Sequence, residues 1–117
     1  MAIIRVDNLR LRTILGINPD ERVNKQDILI NFSMEVDIGP AAETDDVANT
    51  VDYKTMTKAV IEHVERSDYF LVETMVERLL DILMSDDRVT KASVRVDKPT
   101  ALRFADSVSI EESRVRR

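Results

Sequence analysis

The chain contains no cysteine and a single histidine, His63. That removes thiol nucleophiles, thiolate zinc sites and disulfides, and it leaves little for a histidine triad or a histidine metal site. Any chemistry must therefore use carboxylates, lysine, tyrosine or serine. The stretch best arranged for it is Val96-Asp97-Lys98-Pro99-Thr100-Ala101-Leu102-Arg103-Phe104-Ala105-Asp106-Ser107-Val108. Val94 and Val96 alternate with polar residues before it, and Phe104, Asp106, Val108 and Ile110 alternate with small polar residues after it. Two strands are thus expected to flank one turn, with Pro99 fixing that turn and holding Lys98 extended. A lysine fixed at a strand end can donate a proton or clamp a charge when its surroundings bring its pKa towards neutrality. Taken alone, the local pattern also fits a solvated turn lysine.

The elements that must position this lysine follow from periodicity. Residues Ile3 to Leu15 read as a first strand with a phase change, because Ile4 and Val6 share one parity while Leu9, Leu11 and Leu15 share the other. A bulge near Asp7 and Asn8 reconciles them. Gly16 ends the strand, and Asn18-Pro19-Asp20-Glu21-Arg22 reads as a loop or wide hairpin connection carrying Glu21 as an exposed acid. From Ile28 to Ile38 the alternation is unbroken, giving a half-buried antiparallel strand with Asn31, Ser33, Glu35 and Asp37 on its polar face. Gly39 and Pro40 end that strand, and Ala41 to Asn49 reads as a crossing loop.

Tyr53, Met56, Val60, Ile61 and Val64 recur at helical spacing behind Asp52 as N-cap, predicting a helix from about Tyr53 to Glu65. A second stripe at Val72, Met75, Val76, Leu79, Leu80 and Leu83 predicts another helix, with Glu73 in its first turn where negative charge complements the dipole. The order strand, strand, helix, helix, strand, strand gives an α+β layer: two helices on one face of a four-stranded antiparallel sheet. The other face and both edges are left uncovered, so oligomerisation is expected.

At 117 residues and 13.4 kDa the chain is expected to form one domain, residues 1–117, with a core that needs no staples. Lys and Arg number 17 against 22 Asp and Glu, a net charge of −5. That balance argues against nucleic acid or an anionic membrane as partner. No run approaches the ~18 apolar residues of a membrane span, and MAIIRVDN lacks a signal peptide's layout, so the expected compartment is the cytoplasm.

With this element order in place, the segments IIRVDNLRLRT, LGINPDE, NKQDILIN, VDYKTMTKAVIEHVE and DKPTALRFADSVS resemble the dihydroneopterin aldolase family of the tunnelling fold (T-fold), over nearly the whole chain. The aldolases typically show Lys-Pro-Gly-Ala where this chain has Lys98-Pro99-Thr100-Ala101, and many carry a tryptophan near the first glycine that is missing here. The resemblance therefore leans to the branch that epimerises dihydroneopterin triphosphate at C2′, in tetrahydromonapterin synthesis, rather than to the folate-pathway aldolases that release glycolaldehyde. It implies a homo-octamer of two stacked rings with the pterin bound between subunits, and no metal or organic cofactor. A noncatalytic assembly protein that merely binds a pterin is the remaining alternative.

The resemblance also carries roles residue by residue. It makes Lys98, Tyr53 and Glu21 the catalytic set: Lys98 supports proton transfer, Glu21 orients and tunes it, and Tyr53 stacks on the pterin and relays a proton. Glu73 anchors the pterin, because a ring N–H beside an exocyclic amino group is a donor pair matched by one carboxylate. Val51 and Val72 are the expected apolar contacts. Arg103, with Lys54 and Arg12, is expected to meet the triphosphate.

Overall fold

The computed structural model describes residues 1–117. The chain runs β1 (Ala2–Thr13), α1 (Pro19–Val23), β2 (Gln26–Val36), α2 (Gly39–Thr44), a 3-10 turn (Val47–Asn49), α3 (Tyr53–Arg66), α4 (Val72–Leu83), β3 (Val89–Lys98) and β4 (Val108–Val115). The strands form one antiparallel sheet in the order β1-β2-β3-β4. α3 and α4 cover one face of it, so the layer expected from the sequence is the layer observed.

The core follows from the strand alternation. Ile28, Ile30, Phe32, Met34 and Val36 of β2 and Val89, Ala92, Val94 and Val96 of β3 are buried towards the helices. Met56, Val60 and Val64 of α3 meet them, as do Met75, Val76, Leu79, Leu80 and Leu83 of α4. Asp52 caps α3 as expected, its carboxylate accepting the N–H of Lys54 at 3.0 Å. The bulge falls where the phase change put it: pairing shifts between Val6 and Leu9, and Asn8 adopts φ +55°. Its freed N–H donates to Asn31 Oδ1 at 2.8 Å.

Four boundaries differ from the sequence reading. The Asn18–Arg22 segment is a one-turn helix rather than a loop, because Pro19 starts it and Glu21 reaches back to the Asn18 N–H at 3.3 Å. Ile38 lies beyond β2 and is half exposed, and Gly39-Pro40 opens α2 inside what reads as a crossing loop. β1 stops at Thr13, whose buried hydroxyl donates to the Val64 carbonyl at 2.8 Å. The β3–β4 connection is longer than one turn: β4 begins only at Val108, and Phe104 is 95% exposed.

The sheet has two distinct ends. At one, Ala2, Val36 and Val89 come together, and Arg88 Nη1 donates to the Ala48 carbonyl just before α3. At the other, Thr13 pairs with Gln26 and Lys98 with Val108. α3 starts at the first end and finishes at the second. Its 14 residues span about 21 Å, so the two ends of the helix lie far apart.

Candidate active site

Lys98 closes β3 with its side chain only 11% exposed, and its ammonium donates to Glu21 Oε2 at 2.6 Å. The Glu21 side chain is 20% exposed. Antiparallel pairing fixes the lysine end of this contact and α1 fixes the other. The carboxylate also accepts from Gln26 Nε2 at 3.2 Å, and the same amide donates to the Leu15 carbonyl at 2.6 Å. The Lys98 hydrogen bond, with smaller help from Gln26 and the Asn18 N–H, holds the Glu21 carboxyl below its ordinary range against a desolvation cost. Glu21 is therefore a fixed anion and Lys98 is the donor placed against it.

Gly16 makes this approach possible. Its φ is +138°, and a Cβ built on it would fall 2.2 Å from the Glu21 carboxyl carbon. The Gly16 N–H donates to the Tyr69 carbonyl at 3.1 Å, tying the loop before α4 to the same place. Arg22 Nη1 donates to both the Gly16 and Tyr69 carbonyls at 3.2 Å, with its guanidinium 3.8 Å over the Phe70 ring. The one histidine is structural here: His63 Nε2 and the Tyr69 hydroxyl are hydrogen-bonded at 2.7 Å. A cleft of about 390 Å³ opens on the Glu21 side of the pair, lined by Glu21, Gln26, Thr100 and Ala101 among others.

The predicted residues fall into two groups. Glu73 and Val72, in the first turn of α4, lie at the Lys98 end of the sheet. Glu73 is exposed and its carboxylate has no hydrogen-bond or ion-pair partner in the protomer. Arg103 is in the β3–β4 connection at that same end, 5.5 Å over the Phe104 ring. Tyr53, 54% exposed, and Val51, a buried core residue, line a separate cleft with Lys54 at the far end of α3. One protomer thus does not assemble the whole set. Arg12 is tied to Asp27 at 3.1 Å and to the Lys25 carbonyl, and it shares that one carboxylate with Arg10 at 3.7 Å.

Three contributors were not expected from the sequence. Gly16 reads there only as a strand break and Arg22 as a loop charge, while Gln26 falls between the Asn18–Arg22 segment and the strand from Ile28 with no reading of its own. No local pattern marks any of the three.

The FolB family, described as dihydroneopterin aldolase, matches residues 4–113. The chain belongs to the dihydroneopterin aldolase family. Among curated relatives, the dihydroneopterin triphosphate 2′-epimerase of Pseudomonas aeruginosa is 49% identical over 110 residues, covering 94% of this chain and 89% of that protein. The enzyme of the same name from Escherichia coli is 44% identical over 109 residues, covering 93% and 91%. Among solved structures, the E. coli dihydroneopterin aldolase in complex with neopterin superposes with a TM-score of 0.92 at 27% identity, covering 97% of this chain and 99% of that one. That aldolase therefore shares the fold seen here over nearly its whole length.

Proposed function

We propose that this chain is a dihydroneopterin triphosphate 2′-epimerase, converting its substrate to dihydromonapterin triphosphate. The observation that carries the chemistry is the contact between Lys98 Nζ and Glu21 Oε2, a proton donor held against a fixed anion beside an open cleft. The names of the P. aeruginosa and E. coli relatives support the epimerase over the aldolase.

The hydrogen on C2′ is not acidic, so inversion cannot begin by removing it. Loss of the C2′ hydroxyl proton instead breaks the C1′–C2′ bond, the hydroxyl carbon becomes an aldehyde, and the electron pair passes into the dihydropterin ring. The aldehyde turns its other face, the bond re-forms, and the proton returns to the new hydroxyl. Lys98 supplies and retrieves the proton at the ring nitrogen, directly or through water, while Glu21 holds the ammonium in place. Glu73 binds the pterin amide edge and Tyr53 stacks on the ring and relays the hydroxyl proton.

Tyr53 and Lys98 sit at opposite ends of the α3–sheet layer, which supports a site completed by two copies: Lys98, Glu21 and Glu73 from one and Tyr53 with Val51 from the next. The exposed strand edges of β1 and β4 suit such an assembly, read here as a homo-octamer of one-domain chains working in the cytoplasm. No helix is long and apolar enough to cross a membrane.

The test is anaerobic incubation of the purified protein with dihydroneopterin triphosphate, followed by dephosphorylation, oxidation and chiral separation of the pterins. Monapterin with an intact side chain establishes the epimerase. Hydroxymethylpterin as the main product makes the chain an aldolase, and unchanged neopterin from a folded, assembled protein makes it a binding module.

A further inference from the structure

Most of the half-buried basic side chains have a carboxylate partner: Lys91 has Glu35, Arg95 has Asp97, Lys98 has Glu21, and Arg114 has Glu77 and Asp81. Arg22 alone has none. Its cation is partly desolvated in a chain of net charge −5, where carboxylates outnumber basic groups. Nor is it loosely placed. Nη1 donates to the carbonyls of Gly16 and Tyr69 at 3.2 Å and the plane lies 3.8 Å over Phe70, so the fork is held while Nε and Nη2 keep their hydrogens free of any protein acceptor.

The location matters as much as the missing partner. Gly16 presents its α-carbon to the Glu21 carboxylate and its carbonyl to Arg22, so the guanidinium stands one residue away from the Lys98–Glu21 pair. In the substrate, only a carbon and an oxygen separate C2′ from the first phosphorus. A triphosphate whose C2′ lies at the pair therefore has its phosphates within reach of Arg22. Of the other cations considered, Arg12 is tied to the Lys25 carbonyl and to an Asp27 carboxylate that it shares with Arg10, Arg103 is exposed over the exposed Phe104 ring, and Lys54 reaches the site only from the copy that brings Tyr53.

We propose that Arg22 is a phosphate-recognising residue of this site, its free N–H groups binding the non-bridging oxygens of a polyphosphate ester. The assignment deepens the epimerase reading and rests on it for the identity of the ester. Arg22 then selects the triphosphate over the unphosphorylated pterin, a discrimination that Lys98, Glu21 and Glu73 cannot make because they address the side-chain hydroxyl and the ring.

The experiment compares wild type, Arg22→Met and Arg22→Lys on dihydroneopterin triphosphate and on unphosphorylated dihydroneopterin, with inorganic tripolyphosphate as inhibitor. Methionine keeps an unbranched chain of similar length but removes the guanidinium that lies over Phe70. The ratio of kcat/KM for the two substrates is expected to fall by about tenfold or more in Arg22→Met, as for loss of a charge-assisted hydrogen bond, with tripolyphosphate inhibition weakened in parallel and lysine restoring part of both. An unchanged ratio overturns the proposal, and so does dissociation of the assembly, which would mean that the guanidinium pairs with a neighbouring copy. If wild type turns over neither pterin, the epimerase reading fails separately. Calorimetric titration with tripolyphosphate then decides on Arg22: weaker binding by the methionine variant upholds the anion site, and equal binding removes it.

Discussion

Gly16 and Glu21 stand so close that position 16 has no room for a side chain: any Cβ there would meet the carboxyl group that Lys98 holds. Gly16→Ala therefore forces Glu21 away from Lys98 and places alanine at φ +138°. A stability loss of about 1–3 kcal/mol is expected from the backbone strain, with kcat reduced by at least about tenfold. Thermal unfolding and steady-state kinetics check the two effects. A variant that turns over normally would show that the tie is dispensable.

The Glu21–Lys98 pair also predicts how stability depends on pH. The Lys98 hydrogen bond keeps the folded-state pKa of Glu21 below its ordinary value of 4.5. A depressed carboxyl pKa contributes stability that is fully present above the unfolded value and is lost as pH falls through the folded one. The Tm difference between wild type and Glu21→Gln should thus be widest near neutrality and should narrow once the pH drops below 4.5. A difference that stays constant from pH 7 to pH 3 would exclude this linkage.

If two copies complete each site, inactive variants can rescue one another. Lys98→Ala and Tyr53→Ala are each expected to lose nearly all turnover. When the two are unfolded together and reassembled as equal mixtures, about a quarter of the sites receive Lys98 from one copy and Tyr53 from another, and activity returns to about that fraction. Mixtures that stay as inactive as their components would place both residues in the same protomer's site or remove one from the mechanism.

Arg116 fastens the end of the chain to the far end of the sheet. Its guanidinium donates to the carbonyls of Met84 at 2.6 Å, Val89 at 2.9 Å and Asp86 at 3.0 Å, satisfying the turn that follows α4. Arg116→Ala should cost about 1–3 kcal/mol, seen as a lower urea midpoint with an unchanged slope. Arg116→Lys should recover only part, because an ammonium cannot reproduce the planar fork. Turnover per folded site should be unaffected, since Arg116 holds only the Met84, Asp86 and Val89 carbonyls and touches none of Lys98, Glu21, Tyr53 and Val51.

Much of the fold was legible because the sequence writes it redundantly. The helix stripes, the Asp52 cap and the parity change at Asp7–Asn8 each translate directly into hydrogen bonding or burial. Errors arose where one local pattern serves two structures. Phe104, Asp106 and Val108 alternate like a strand, yet the β3 ladder stops with Lys98 opposite Val108, so the preceding residues have nothing to pair with. Asn-Pro-Asp reads as a turn, and only the return of Glu21 to the Asn18 N–H makes it a helical turn. Lys98 and Glu21 could be named from family motifs, but that they touch is a property of sheet order. The contribution of Gly16 is steric and that of Arg22 lies in a missing partner, so neither leaves a mark in local sequence.

The two members of the central pair are separated by 77 residues of chain. During synthesis both long helices and the β1–β2 hairpin exist before Lys98 does, and Glu21 remains a hydrated surface acid for that entire interval. Only when β3 adds beside β2 does the ammonium arrive. The strand that brings Lys98 also brings Val89, Ala92, Val94 and Val96 to the core, so a chain truncated before β3 lacks the working pair and part of the interior together.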